Sequence, residues 1–402
     1  MLNRGKLKVL FDMALNIAAT ALPIAVLQLI IYPQIAKLIG GEEYGLMLTI
    51  YSVWIMIPNS LGNVLNNIKL LRFKDYQNLG ENGDIALLLY RWLSISTVII
   101  FGVIWIYSGE FSLIHLLLGV LIAAVILLKA YLEVGFRIEL NYIAILINNI
   151  LLCAGYILGF ILFRYTGFWE WVFLTGYLLS VLYCAAKTDL LREVPKKTTI
   201  YNEIHKDSVN LVFAAVINNL INYADKLVLY PLMGGTAVSV YYTATILGKI
   251  AGMLTGPINS VILSYISKWD RSRAGIFKQV LALGAVVVAI CYVLAILLAK
   301  PVIGLLFPQW LDDVLEIIPL TTATVMLTIL ASLLQPFVLK YCDMKWQIVI
   351  SAAGSSLYFM FALLLWTFIG LKGFCLGTII GASSKLIIMI LVYKKSTNSY
   401  NK

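Results

Sequence analysis

Long apolar runs separated by short polar breaks make up almost the whole chain. A bilayer core takes about 20 apolar residues per helix. On that measure the sequence predicts twelve spans, at 9–37, 44–68, 85–107, 111–133, 142–163, 168–187, 208–233, 236–266, 275–299, 312–340, 346–370 and 372–393. The narrowest break is the Gly370–Gly373 turn between the last two. The longest polar segment, Lys187 to Asp207, follows the sixth span. It divides the chain into a first half (1–190), a linker (191–207) and a second half (208–402). The expected fold is an all-α polytopic membrane protein with about 12 transmembrane helices in two six-helix lobes.

The polar breaks differ in charge. With the N-terminus inside, the outer segments hold only Lys37, Arg164, Lys300 and Lys372, and the inner ones hold most other basic residues. That bias predicts that both termini are cytoplasmic. Composition agrees with a membrane protein: 61% of residues are hydrophobic and 12% charged. The net charge of +10 then reads as positive-inside bias rather than nucleic-acid binding, for which no module is present. The apolar N-terminal run is long and lacks a small-residue cleavage site, so it reads as the first span rather than a signal peptide.

The halves echo each other. LIIYPQIAKLIGGEEYG near Tyr32 and LVLYPLMGGTAVS near Tyr230 both show Tyr-Pro, then Leu-x-Gly-Gly, then a new span. IPNS (Ile57–Ser60) and GPINS (Gly256–Ser260) follow in those spans. An even number of spans per half makes such repeats parallel. Pro23, Pro33, Pro58, Pro231, Pro257, Pro319 and Pro336 fall in or at the ends of spans. Each removes a helix hydrogen bond and favours a kink.

Charge inside a span marks candidate chemistry, because a charged side chain at mid-bilayer costs roughly 2.5–3.5 kcal/mol. Asp225, Lys226 and Lys249 are the deep ones. A spacing of four puts Asn218, Asn222 and Lys226 on one face, and Tyr242, Thr245, Lys249 and Gly252 share another. The lysines suit an anionic group in a polar cavity. The plainer alternatives are that Lys226 pairs with Asp225 and that Lys249 snorkels. Asp225 is a candidate for ion coupling or a counter-ion. Asp12, Lys129 and Lys385 read as nearer span ends, where snorkelling or end-of-helix placement explains them, with Lys385 deeper if the last span starts late. Asn16, Asn59, Asn63 and Thr328 complete the polar positions that could line a cavity, or could simply bond neighbouring helices.

Catalytic chemistry is not indicated. The sequence has no Walker A loop, no HExxH and no GxGxxG after a strand, so direct ATP use is not expected and no catalytic residue is assigned. Cys153, Cys184, Cys291, Cys342 and Cys375 are scattered without a CxxC pair. His115 and His205 have no ligand-spaced partners and read as isolated polar residues. Neither a metal site nor a cofactor is expected.

On these motifs the chain resembles polysaccharide transporters of the multidrug/oligosaccharidyl-lipid/polysaccharide exporter superfamily. The start, Asn16, Pro23, Pro33 and LIGGEEYG, is similar to their first half. NYADKLVLYPLMG with VSVYYTATILGKI is similar to the start of their second, and RIELNYIAILINNILLCAGYILG to their fourth-to-fifth span region. The nearest resemblance is to Wzx-type flippases, which move undecaprenyl-diphosphate-linked oligosaccharides across the bacterial plasma membrane for surface polysaccharide synthesis. It implies two MATE-like lobes with alternating access around a central cavity. It also implies a diphosphate contact that fits Lys226 and Lys249. A proton or sodium gradient, or the membrane potential, could supply direction. Expected partners are the lipid-linked glycan, membrane lipids, and polysaccharide polymerase and assembly proteins. The alternatives are a cation-coupled multidrug exporter of the same superfamily, a major-facilitator carrier and, in another class, a membrane glycan polymerase or ligase. The short external loops speak against the enzyme, and a missing Gly/Asp/Arg-rich loop after the second span speaks against the major-facilitator carrier.

Overall fold

The computed structural model describes residues 4–79, 83–108, 113–252, 255, 258–259, 262, 274–342 and 344–400, and every element among them is a helix. Helix α1 (Arg4–Val26) passes through a π turn (Leu27–Ile31) into α2 (Tyr32–Met56). Then follow α3 (Pro58–Leu71), α4 (Phe73–Leu79), α5 (Asp84–Ser108), α6 (Leu113–Leu132), α7 (Val134–Ile138), α8 (Tyr142–Thr166) and α9 (Glu170–Lys187). Helices α10 (Tyr201–Gly252), α11 (Ala274–Leu306), α12 (Leu311–Tyr341) and α13 (Met344–Tyr400) complete the order. Seven helical runs among the described residues are long and apolar enough to cross a bilayer. The protein is an all-α, multi-pass membrane protein.

Three of the helical runs, α2, α10 and α13, are not single rods. As one straight helix, α13 would measure about 85 Å, nearly three bilayer cores. Gly370 (φ +61°) breaks it. Residues 371–400 then run back along 344–369, because Gly373 meets Leu365, Gly377 meets Ala362 and Gly381 meets Tyr358. A methyl at Gly377 would stand 2.3 Å from the Ala362 Cα, so the two backbones touch. Without a hydrophobic force between helices in lipid, such small-residue contact is what holds a pair together. The reversal falls at the narrowest break in the sequence.

Gly40 does the same within α2. The Tyr32 ring lies 6.2 Å from that of Tyr44 and 6.3 Å from that of Tyr51. A straight helix would separate residues 32 and 51 by about 28 Å. Gly234 breaks α10 with nearly the same backbone angles as Gly40.

The chain forms two compact units, Met1–Val238 and Ser239–Lys402. In the first, α8 and α9 are an antiparallel pair turned at Gly167 (φ +81°). Gly155 packs on Gly176, and the Ser180 hydroxyl donates to Asn148 Oδ1 at 2.7 Å. Helix α3 lies on α6 through Gly62 against Leu127, and Asn66 Nδ2 donates to the Ala130 carbonyl at 2.9 Å. In the second unit the core joins Phe277, Leu334, Phe337, Leu386, Met389 and Tyr393. The Phe277 and Tyr393 rings stack at 3.9 Å.

The polar segment after α9 is strapped to the first unit. Lys69 Nζ reaches Glu193 at 2.6 Å. The fully buried Asp84 carboxylate accepts from the Thr198 amide at 2.7 Å, from the Thr198 hydroxyl at 2.5 Å and from Tyr76 at 3.3 Å. Arg72 reaches Glu203 at 2.5 Å and Asp207 at 2.8 Å. Asp207, Glu203 and Asp75 hold the Arg72 guanidinium in its charged form, above its ordinary range. Burial, then Asp84, pushes the Tyr76 phenol well above the usual tyrosine range. Helix α10 therefore starts at Tyr201 rather than at the apolar boundary near 208, because the hydropathy edge marks the membrane and not the helix.

Candidate functional site

In the first unit, α10 carries Tyr223, Asp225 and Lys226. Lys226 is only 5% exposed. Its Nζ lies 3.9 Å from Asp225 Oδ1 and 5.1 Å from the centre of the Tyr223 ring. Asp225 Oδ1 also accepts from the Lys226 amide at 2.9 Å. Neighbouring side chains diverge by about 100° on a helix, which is why this ion pair is long. Asn219 Nδ2 donates to Ser60 Oγ at 2.6 Å and ties α10 to α3. The side chains of Asn218 and Asn222 lie outside the described residues. Asn16, Asn59 and Asn63 are all half-buried.

Around this end of α10 the unit is aromatic. Tyr51 stacks on Phe173 at 4.4 Å, and its hydroxyl is 3.4 Å from that of Tyr177. Tyr223 lies within electrostatic range of both Tyr177 and Tyr51. Trp54 and Tyr32 pack edge-on against the same Phe173. Phenol hydroxyls beside a lysine can donate to an anion or a sugar hydroxyl, and the ring faces can stack on a sugar.

Sequence reasoning missed three partners here. Lys129, in the last turn of α6, has a partner: its Nζ meets Glu133 Oε2 at 3.0 Å, and Glu133 is 5% exposed. The Lys–Glu spacing of four was a readable signal. His115 is not isolated, because its Nδ1 bonds Glu170 Oε1. Glu170 is 2% exposed, its Oε2 has no partner among the described residues, and Glu43 lies within electrostatic range. No local pattern joins residues 55 positions apart. His205 Nε2 accepts from Arg91 at 2.5 Å.

The second unit presents a matching arrangement on the other limb of α10. Lys249 Nζ sits 4.3 Å from the centre of the Tyr242 ring, inside cation–π range. Tyr242 and Thr245 are buried and Lys249 half-buried. The Thr245 hydroxyl is used on the Tyr242 carbonyl at 2.7 Å. Gly248 packs on Val325, and the Thr321 hydroxyl donates to the Ala244 carbonyl at 3.2 Å, which seats the helix on α12. Thr328, also on α12, is exposed and donates to the Thr324 carbonyl at 2.9 Å. Lys249 lies 14 residues beyond Gly235, about 21 Å along the helix. No group of histidine, cysteine or carboxylate side chains suited to a metal ion occurs among the described residues.

The sequence matches no known family profile and no curated protein. The fold has solved counterparts. The chain is similar to an inward-facing multidrug resistance MATE family transporter of the MOP superfamily, with 16% identity, a TM-score of 0.66, and coverage of 96% of this chain and 99% of that one. The outward-facing conformation of such a transporter matches at 15% identity and TM-score 0.62, covering 97% and 96%. The Vibrio cholerae MATE transporter VcmN in its bent form matches at 11% identity and TM-score 0.58, covering 98% and 97%. These likenesses extend over nearly the full length, and they show that the chain has the fold of MATE transporters.

Proposed function

We propose that this protein is a non-enzymatic flippase for a polyprenyl-diphosphate-linked oligosaccharide in the bacterial plasma membrane. The observation that carries the reading is the pair of deep lysines on the two limbs of α10. Each lies over a tyrosine face, Lys226 at 5.1 Å and Lys249 at 4.3 Å. Cations at such depth are expensive in a membrane, and two of them, one beside Asp225, give this helix a basic character that suits an anionic substrate. A diphosphate is the anionic part of a lipid-linked glycan, and the prenyl tail can stay in lipid. In this reading twelve spans form two lobes, both termini are cytoplasmic, and alternating access moves the headgroup across. An ion gradient or the membrane potential supplies direction, with Asp225 as the candidate coupling group. The product feeds the polymerase and assembly proteins of surface polysaccharide synthesis.

A cation-coupled multidrug exporter is the second reading, supported by the solved neighbours and by the aromatic cluster of Tyr32, Tyr51, Trp54 and Phe173. The lysines oppose it, because they repel cationic drugs. Glycan-lipid translocation in proteoliposomes, with and without an ion gradient, separates the two. The flippase moves the lipid, and Lys249→Ala loses that movement while the protein still inserts and folds. Wild-type transport of cationic dyes with no glycan-lipid movement would establish the exporter instead.

A further inference from the structure

Lys385 reads as nearer a span end in the sequence, and the turn at Gly370 sets its distance along the span. It lies 15 residues past the Gly370 turn, about 22 Å along the returning limb of α13. The apolar part of that limb ends near Lys394, nine residues and about 14 Å further on. Lys385 is thus close to the middle of its span, too far from either end for its side chain to reach water by snorkelling.

Among the described residues, no carboxylate forms an ion pair with it. Neither limb of α13 contains an Asp or Glu. Among the described residues of the second unit the carboxylates are Asp312, Asp313 and Glu316, at the start of α12. Glu316 pairs with Lys372, and Lys372 precedes Lys385 by 13 residues, about 20 Å along the helix. No hydrogen bond or ion pair to Lys385 is present among the described residues. The site is nevertheless shaped for this side chain. Gly354 on the facing limb leaves room for its stem: a methyl there would stand 2.8 Å from Lys385 Cβ, 3.0 Å from Cγ and 3.2 Å from Cδ.

Lys385 also lies near the level of Lys249. The Tyr241 and Phe374 rings meet at 5.6 Å and fix the two inward-running helices against each other. From that contact Lys249 is eight residues further and Lys385 eleven, so their depths differ by about 5 Å.

We infer that Lys385 is a second anion-binding residue of the second unit, taking a phosphate or diphosphate group at the depth of Lys249. The ligand class rests on the flippase reading. The site itself rests on a mid-span cation that has no ion pair among the described residues and on the glycine that accommodates it.

The test titrates the full chain in nanodiscs with farnesyl diphosphate, inorganic diphosphate and farnesol, and compares Lys385→Gln, Lys385→Arg and Lys249→Gln with the wild type. Lys385→Gln should weaken diphosphate binding about tenfold or more, equivalent to about 1.4 kcal/mol. Lys385→Arg keeps the charge and should bind within about threefold of the wild type. Lys385→Gln should melt no lower than the wild type, because it removes an uncompensated charge. Loss of both diphosphates identifies a site for the free anion, and loss of farnesyl diphosphate alone a site for a lipid-borne one. Unchanged diphosphate affinity in Lys385→Gln overturns the inference, as does equal dependence of farnesol binding on Lys385. Binding that needs Lys249 but not Lys385 overturns it and leaves the flippase reading standing. Lys385-dependent binding without any glycan-lipid movement does the reverse.

Discussion

Gly40 and Gly234 adopt the same backbone conformation, φ +77° with ψ 178° and φ +80° with ψ 178°. Each is the first glycine of a Leu-x-Gly-Gly segment after a Tyr-Pro pair. This region of the backbone map is essentially closed to residues with a Cβ. The repeated motif is therefore a repeated turn, and the second glycine of the later copy serves packing. A methyl at Gly45 would stand 1.9 Å from the Gly235 carbonyl oxygen, and one at Gly235 would stand 2.0 Å from that of Glu42.

Gly40→Ala should destabilise the protein by about 1–3 kcal/mol, the cost of forcing a Cβ into that conformation. Nothing lies within 4 Å of the added methyl, so the penalty is conformational alone. Gly234→Ala should cost at least as much, because its methyl also approaches the Glu42 carboxylate at 3.2 Å. The buried thiols of Cys153, Cys184 and Cys375 provide the assay, through a thiol-reactive dye during a thermal melt. Unaltered melting of both variants would contradict the strain argument.

Glu42 caps the helix that follows Gly234. Its carboxylate accepts from the Gly235 amide at 2.8 Å, the Thr236 amide at 2.9 Å and the Thr236 hydroxyl at 3.2 Å. A carboxylate suits three donors and the positive end of a helix. Glu42→Gln replaces one acceptor oxygen with a donor and should cost about 1–2 kcal/mol. Thr236→Val keeps both amide contacts and should cost less. Equal melting temperatures for the two variants would show that the cap is not the source.

Removing His115 strands a buried carboxylate. Glu170 Oε1 bonds His115 and Oε2 has no partner, so His115→Ala should cost about 1–3 kcal/mol or more. Adding Glu170→Gln removes the stranded charge, and the double variant should recover part of the loss. A double-mutant cycle on melting midpoints measures that coupling. Strict additivity would mean the pair does not interact.

Asp84 is the centre of the strap. Asp84→Ala leaves the Thr198 amide, the Thr198 hydroxyl and Tyr76 without their acceptor. The expected cost is about 1–3 kcal/mol. Limited proteolysis should cut between 188 and 200 faster in this variant, because that segment hangs on the Asp84, Lys69 and Arg72 contacts. Unchanged cleavage would place the anchoring elsewhere.

The sequence by itself determined that this is a helical membrane protein, because backbone groups in lipid must be satisfied internally and apolar run length follows from bilayer thickness. It determined the Gly370 turn, because run length is a local property. It also showed the Leu-x-Gly-Gly repeat. Only the tertiary structure decided that Gly40 and Gly234 are matching turns, that Glu170 holds His115, that Tyr223 comes up to Tyr177 and Tyr51, and that the Lys385 stem packs on Gly354. Such pairings depend on which helices become neighbours. That is set by small-residue contacts such as Gly377 on Ala362, spread over distant positions, and no local pattern carries it.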